Sequence, residues 1–361
     1  MTGAEHLWER RLLAVVTALL VVFGLASVAG AAEVGPAFAV RQAVGAAIGA
    51  LGLLAVARIP HAVWHRLAYP ALAAVSVLLV LVLLPFTHDI APEINGARRW
   101  IVVGWVTVQP SELAKLAVVV WAASFAARKG ERMRQLKLGL GPFFLVLAPV
   151  LLLISAEPHL SMTVLIGLLA AIVLFTAGAK LGHLILLGAA GIVAVYQGIL
   201  SESYRVARLA AFLNPEQVPA DASEQIRQSL VGIGAGRLLG VGFGQGQQKL
   251  GYLPYSYSDF IFSTIGEEWG FVGVTALVLL FAAYVWLALR IARTAPDPFG
   301  RYLATGLGAM VGLTAFLHIA VNLALLPTTG LTLPFIAYGR SSLVVALGAT
   351  GLLFSIARGR T

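Results

Sequence analysis

Along the 361-residue chain, long apolar blocks alternate with short polar breaks. The blocks run to roughly 17–25 residues, the length that crosses the ~30 Å hydrocarbon core of a bilayer as an α-helix. The pattern predicts spans over 11–31, 37–57, 68–86, 108–127, 142–156, 161–177, 179–200, 268–290, 302–326 and 334–357. The fifth and sixth are short and divided by Glu157-Pro158-His159. The expected fold is therefore an all-α polytopic membrane protein of about ten transmembrane helices, one domain over 1–361. The largest polar interval follows the seventh helix, and 201–267 is expected to form a large extracytoplasmic loop and a re-entrant segment between helices 7 and 8.

Composition sharpens this picture. Hydrophobic residues make up 59% of the chain and charged ones 11%, against about a quarter charged in soluble domains, and the mean hydropathy is +0.90. A net charge of +9 raises nucleic acid as a partner, but the basic residues lie between apolar spans instead of gathering on one soluble face. No nucleic-acid partner is expected. The chain has no cysteine, which excludes disulfides, thiolate metal sites and cysteine nucleophiles. The first apolar run ends at Ala29-Gly30-Ala31, which imitates a signal-peptidase site; at about twenty residues it is long for a signal core, and a retained anchor is the favoured reading.

Lys and Arg in the short loops set the orientation. The densest cluster, Arg128, Lys129, Arg132, Arg134 and Lys137, belongs in the cytoplasm, which places both termini there. Ten basic residues then fall on or near the outer side: Arg41, Arg98, Arg99, Lys115, Arg205, Arg208, Arg227, Arg237, Lys249 and Arg340. Arg41 reads most simply as snorkelling to the interface. Arg98 and Arg99 precede Gln109-Pro110-Ser111-Glu112-Leu113-Ala114-Lys115, where Pro110 suits a first helical turn and Glu112 and Lys115 share a face. These two form either a structural ion pair or, with the arginines, an anion site in which Glu112 orients Lys115. Arginine forks suit phosphate oxygens.

The stretch 232–254 is rich in glycine but has no preceding strand and no GxxxxGK[ST], so a nucleotide site is declined. Backbone approaching a bulky substrate accounts for its glycines better. Asp259 to Arg290 would be about 48 Å of helix, too long for one untilted span. The first part should therefore lie at the interface or in a cavity wall, with Asp259 either facing the cavity or capping a helix N-terminus. Glu267 and Glu268 read as interfacial acids. The histidines show no metal-binding spacing.

Five ordered motifs, NGARRW, QPSELAK, QKLGYLP…SDFIF..IGEEWGF, APDPFGR and LLPTTGLTLPFIAYGRSSL, resemble the shape, elongation, division and sporulation (SEDS) family of bacterial peptidoglycan polymerases, and the division branch more than the elongation branch. The resemblance extends over essentially the whole chain. It implies glycosyl transfer from lipid II, giving β-1,4 glycan strands outside the cytoplasmic membrane at the division septum. It places the family's essential aspartate on Asp259, which is expected to draw the proton from the acceptor hydroxyl as general base. Substrate contacts are expected from Arg98, Arg99, Glu112 and Lys115, from Gln248 and Lys249, and from Arg340, Ser341 and Ser342. The implied partners are lipid II, the nascent strand, a class B penicillin-binding protein and other division proteins. No organic cofactor is implied, and a divalent cation such as Mg²⁺ would be held partly by substrate phosphates. Three departures stand out: Tyr257 where the family usually has histidine, Arg340 in place of a glycine of YGGSS, and His159 in place of the aspartate after Glu157-Pro158. An elongation-type polymerase, a lipid II flippase and a non-catalytic scaffold are the alternative readings.

Overall fold

The computed structural model describes residues 3–31, 36–94, 96–104, 106–214 and 220–359. Asn95 of the NGARRW motif and Arg360 lie outside them. Twelve α-helices dominate: α1 (Gly3–Ala31), α2 (Pro36–Arg58), α3 (His61–Leu83), α4 (Pro110–Lys129), α5 (Gly141–Ala156), α6 (Leu160–Thr176), α7 (Leu181–Leu200), α8 (Ser203–Leu213), α9 (Ala220–Ala235), α10 (Ile261–Arg293), α11 (Pro298–Asn322) and α12 (Arg340–Arg358). Among the described residues nine helices are long and apolar enough to cross a membrane, and α6 is apolar but shorter. Together they supply the expected ten. The chain is an all-α polytopic membrane protein.

Several boundaries differ from expectation. Helix α3 starts at His61, directly after Pro60, because the polar His65 and Arg66 sit within its first turns instead of ahead of it. Helix α12 starts only at Arg340, since 323–339 folds into turns. A small antiparallel hairpin, β1 (Ile101–Val103) with β2 (Val106–Val108), precedes α4.

Helix α4 is the central element, packed by α3, α6, α11 and α12. Its alanines and valines allow close approach on every side, and Trp121 fills the space beside Phe125 and Phe143 with no exposed surface. Helix α2 lies along α12, where Gly49 meets Leu347 and Gly351 meets Leu53, the small-residue contact that lets membrane helices approach. At the end carrying the α10–α11 connection, Asp297 caps α11 by accepting the Gly300 N–H at 2.7 Å and meets His61 Nε2 at 2.6 Å. Its burial opposes ionisation, but those two hydrogen bonds prevail and hold its pKa below the usual carboxylate range. The APDPFGR motif is thus a helix cap.

Helix α10 is broken at Gly270, where φ is +62° and ψ −163°. The freed backbone groups are taken up by residues 237–242. Phe271 and Val272 donate to Arg237 O and Leu238 O at 2.9 and 3.1 Å, and Glu267 O and Glu268 O accept from Val241 and Gly242 at 2.9 and 3.2 Å. Where no water reaches, every backbone group needs such a partner. Gly240, at φ +84°, is required: a Cβ there would stand 2.1 Å from Glu268 O. Gly236, Gly240 and Gly246 approach α10 closely, so for these glycines the backbone that needs room is that of the protein itself.

Candidate functional site

Asp259 sits in the turn before α10. The helix N-cap is Phe260 and no side chain of that position caps it; the N–H of Ser263 is instead accepted by Asn322 Oδ1 at 3.1 Å. Asp259 is therefore not spent as a cap. Its half-buried carboxyl has a pKa pushed up to about 6 by burial, against the opposing pull of Arg208, a Ser258 hydrogen bond and Arg99.

Arg99 reaches from the segment just before β1 to the α5–α6 turn, donating to Glu157 O at 2.9 Å and Pro158 O at 2.6 Å. Its guanidinium also lies in the fields of Tyr204, Arg208, Glu157 and Arg205; burial and the neighbouring arginines lower its pKa. Arg205 and Arg208 stand over the Tyr204 ring at 5.4 and 5.7 Å, so α8 presents both cations with one aromatic support.

Glu157 is fully buried, and neither carboxyl oxygen has a hydrogen-bond partner. Burial raises its pKa to about 8 despite Arg99, which keeps it protonated at neutral pH. His159, next to it, is held near pKa 3 by burial and by Arg99 and Lys115, and is neutral. Lys115 Nζ and Glu112 Oε2 are 2.9 Å apart, with side chains 3% and 4% exposed. Glu157 and His159 are thus neutral and Glu112 is matched by Lys115, leaving Arg99 and Arg208 as the cations whose fields reach Asp259. The wall is cationic with a single base-capable carboxyl.

The other expected contacts fall elsewhere. Arg98 folds back on its own loop, donating to Ala91 O at 3.0 Å and Thr87 Oγ1 at 2.8 Å. Lys249 binds Gly30 O and Gly244 O at 2.7 and 2.5 Å and pairs with Glu268 at 3.3 Å, tying α1 to α10. The Gln248 N–H is accepted by Glu267 Oε2 at 3.2 Å and that of Gln247 by Oε1 at 2.8 Å, so Glu267 and Glu268 are buried structural acids and not interfacial ones. Arg340 donates to Thr107 Oγ1 at 3.2 Å. Ser341 accepts the Gln109 N–H at 3.0 Å, fastening the hairpin to α12, and Ser342 is buried there with no partner for its hydroxyl. Tyr257 packs against Phe38 and Tyr338, an aromatic contact that accounts for a ring at this position.

Among the described residues no three His, Asp or Glu side chains converge as a metal site. A cavity of about 540 Å³ lined by Glu131, Arg132, Arg134, Gln135 and Lys180 lies at the opposite end of the bundle. Arg205, Arg208 and Glu157 were not among the expected contacts. The visible signals were the place of the two arginines among the outward basic residues and their i, i+3 spacing on an amphipathic helix.

The fold and this wall define a multi-pass membrane protein with an ionisable site at one end of its bundle, formed by the hairpin, the α5–α6 turn, α8 and the start of α10. The chain matches the family described as "Cell cycle protein", that of FtsW, RodA and SpoVE, over residues 5–361, and belongs to it. It is 39% identical over 343 residues to the "Probable peptidoglycan glycosyltransferase FtsW" of Trichlorobacter lovleyi, covering 94% of this chain and 89% of that one. It is 36% identical over 356 residues to "Stage V sporulation protein E" of Bacillus subtilis, covering 96% of each. A solved structure described as "Structural coordination of polymerization and crosslinking by a peptidoglycan synthase complex" contains a chain that superposes with a TM-score of 0.82 at 29% identity, covering 96% of this chain and 97% of that one.

Proposed function

We propose that the chain is a division-type peptidoglycan glycosyltransferase that polymerises lipid II on the outer face of the cytoplasmic membrane, with Asp259 as general base. The supporting observation is the setting of Asp259: a carboxyl that caps nothing, has a pKa of about 6 and lies in the fields of Arg208 and Arg99. Converting an α-linked sugar pyrophosphate to a β-1,4 bond inverts the anomeric carbon, so one displacement suffices. The acceptor's 4-hydroxyl oxygen attacks that carbon, the bond to the pyrophosphate oxygen breaks, and Asp259 takes the hydroxyl proton, a role worth typically 10²–10⁴-fold. A pKa near 6 leaves the group mostly ionised at neutral pH yet basic enough to accept a proton.

The leaving pyrophosphate needs its charge balanced more than it needs a proton. Arg99, Arg208 and Lys115 are best placed for that electrostatic role, with Arg205 behind them. Arg98, Gln248, Lys249, Arg340 and Ser341 hold the surrounding loops in place, whereas the buried Ser342 hydroxyl has no partner. Any magnesium ion would arrive with the pyrophosphate and keep most ligands on its oxygens. In this reading 201–267 is the extracytoplasmic loop with its re-entrant segment, both termini are cytoplasmic, and the protein works at the septum beside a class B penicillin-binding protein that crosslinks the strands.

Purified protein, supplied with its transpeptidase partner, would be given lipid II in detergent, where no bilayer exists to flip across. Glycan polymer is expected from wild type and none from Asp259→Ala. Polymer from Asp259→Ala at the wild-type rate would remove the base assignment, and a wild type that makes no polymer but moves lipid II in liposomes would establish transport instead.

A further inference from the structure

One fully buried side chain holds Asp259 from behind. Asn322, the last residue of α11, has no exposed surface, nor do Ser229 of α9 and Ser263 of α10. Asn322 Nδ2 donates to Asp259 O at 3.1 Å and to His318 O at 2.9 Å. Its Oδ1 accepts the Ser263 N–H at 3.1 Å and the Ser263 hydroxyl at 2.8 Å. Its own main-chain oxygen accepts the Ser229 hydroxyl at 2.7 Å, and the two serine hydroxyls touch.

Both amide hydrogens and both lone pairs of Asn322 are therefore used. The orientation is also determined: turning the amide over would set its oxygen against two carbonyls and its NH₂ against the Ser263 N–H. No residue of similar size carries two donors and one acceptor in this fork. Aspartate in its place would face two carbonyl oxygens with an oxygen, and leucine would take away the side-chain donor to the buried Asp259 carbonyl and leave the Ser263 N–H with Phe260 O alone, at a desolvation cost for the lost partner.

The geometry points to Asn322 as the positioning residue for Asp259. It joins the end of α11, the first turn of α10 and, through Ser229, α9, and it fixes the main chain of the residue whose carboxyl must meet the acceptor hydroxyl. The inference rests on the general-base reading. Asn322 itself touches no substrate; it acts through the direction in which Asp259 points. Reacting groups tolerate little error in that direction, and a displacement of about 1 Å costs on the order of 10²-fold in rate.

The test uses the full chain with its transpeptidase partner and lipid II in detergent, comparing wild type, Asn322→Ala, Ser263→Ala and Asp259→Ala. For Asn322→Ala the expected result is a fall in kcat of about 10²-fold with KM for lipid II held within about twofold, because the residue shapes the reacting geometry and not ground-state binding. Ser263→Ala, which deletes one hydroxyl and keeps the Asn322 bond to Asp259 O, should lose about tenfold in kcat. A role in folding alone would lower the yield of folded protein and leave kcat per folded molecule unchanged, so activity is normalised to protein that elutes as a monodisperse complex. Wild-type kcat in folded Asn322→Ala, or a loss confined to KM, overturns the proposal. If Asn322→Ala does not fold, Ser263→Ala decides, and its wild-type kcat overturns it equally. Asp259→Ala separates the two ideas: activity there defeats the base, whereas an inactive Asp259→Ala beside a fully active Asn322→Ala defeats only the positioning.

Discussion

The Glu112–Lys115 pair offers the sharpest test, because structural and catalytic roles predict different outcomes for one set of variants. Both side chains are almost wholly buried at the start of α4, with Nζ and Oε2 2.9 Å apart. Removing the lysine alone leaves a buried carboxylate unpaired, which costs about 3–5 kcal/mol, a large share of the roughly 5–15 kcal/mol that typically separates folded from unfolded domains. Lys115→Met should therefore unfold at markedly lower temperature in detergent. Combining it with Glu112→Gln removes both charges and keeps the volume, so most of that loss should be recovered. Activity should not follow. If Lys115 balances charge on the departing pyrophosphate, the double variant loses about 10²–10³-fold in polymerisation, the usual consequence of deleting one such group, while melting near wild type. Polymer yield from lipid II and thermal unfolding, read on the same samples, decide the matter. A double variant that is stable and polymerises within about twofold of wild type would make the pair purely structural.

Other consequences are equally concrete. If the Asp259 carboxyl, with its pKa raised to about 6, is the general base proposed above, it acts only when ionised, so kcat/KM should fall tenfold per pH unit below about 6; Arg208→Gln removes a charge that holds that value down and should move the acidic limb to higher pH, and an unmoved limb would place Arg208 outside the site. Glu157 keeps its proton in the folded chain up to about pH 8, against 4.5 when unperturbed, so the folded state binds more protons across that window and stability declines as pH rises through it. Glu157→Gln should flatten that decline in thermal melts taken between those pH values, and identical slopes would refute the assignment. Gly240→Ala combines a left-handed backbone with a Cβ 2.1 Å from Glu268 O and should destabilise by about 2–5 kcal/mol, seen as a loss of monodisperse protein; a normal melting curve would contradict the described packing.

Much of the architecture could be read from the sequence because hydrocarbon thickness constrains it so strongly. Ten apolar blocks became ten apolar helices, and the excess length ahead of residue 290 became a helix broken at Gly270. Glu112 and Lys115 were paired correctly from their i, i+3 spacing, since that contact lies within one helix. What the sequence could not rank were the basic residues. Arg98 and Arg99 are neighbours, yet one folds onto Thr87 and Ala91 and the other crosses to Glu157 and Pro158; the hairpin's path decides, and nothing local records it. Arg208 lies far from Asp259 in sequence, and the packing of α8 brings its field to the carboxyl. Asn322 reads in the chain as an ordinary polar end to a span. The glycines of 232–254 were visible, but the partner of Gly236 and Gly240 was not: these two match the backbone of α10, a contact that involves no side-chain pattern.

That contact has a mechanical meaning. A glycine break in a long membrane helix would ordinarily serve as a hinge, and the break at Gly270 would let the half bearing the Asp259 turn swing against the half embedded in lipid. Here four main-chain hydrogen bonds from residues 237–242 bridge the break. Parting them without water would leave eight polar groups bare, at about 1–3 kcal/mol for each unmet donor or acceptor, a barrier no thermal fluctuation crosses often. The joint is welded. The turn that carries Asp259 thus stands on an anvil: if Asp259 is the base proposed above, substrate and product must be admitted and released by movement elsewhere, past a fixed carboxyl.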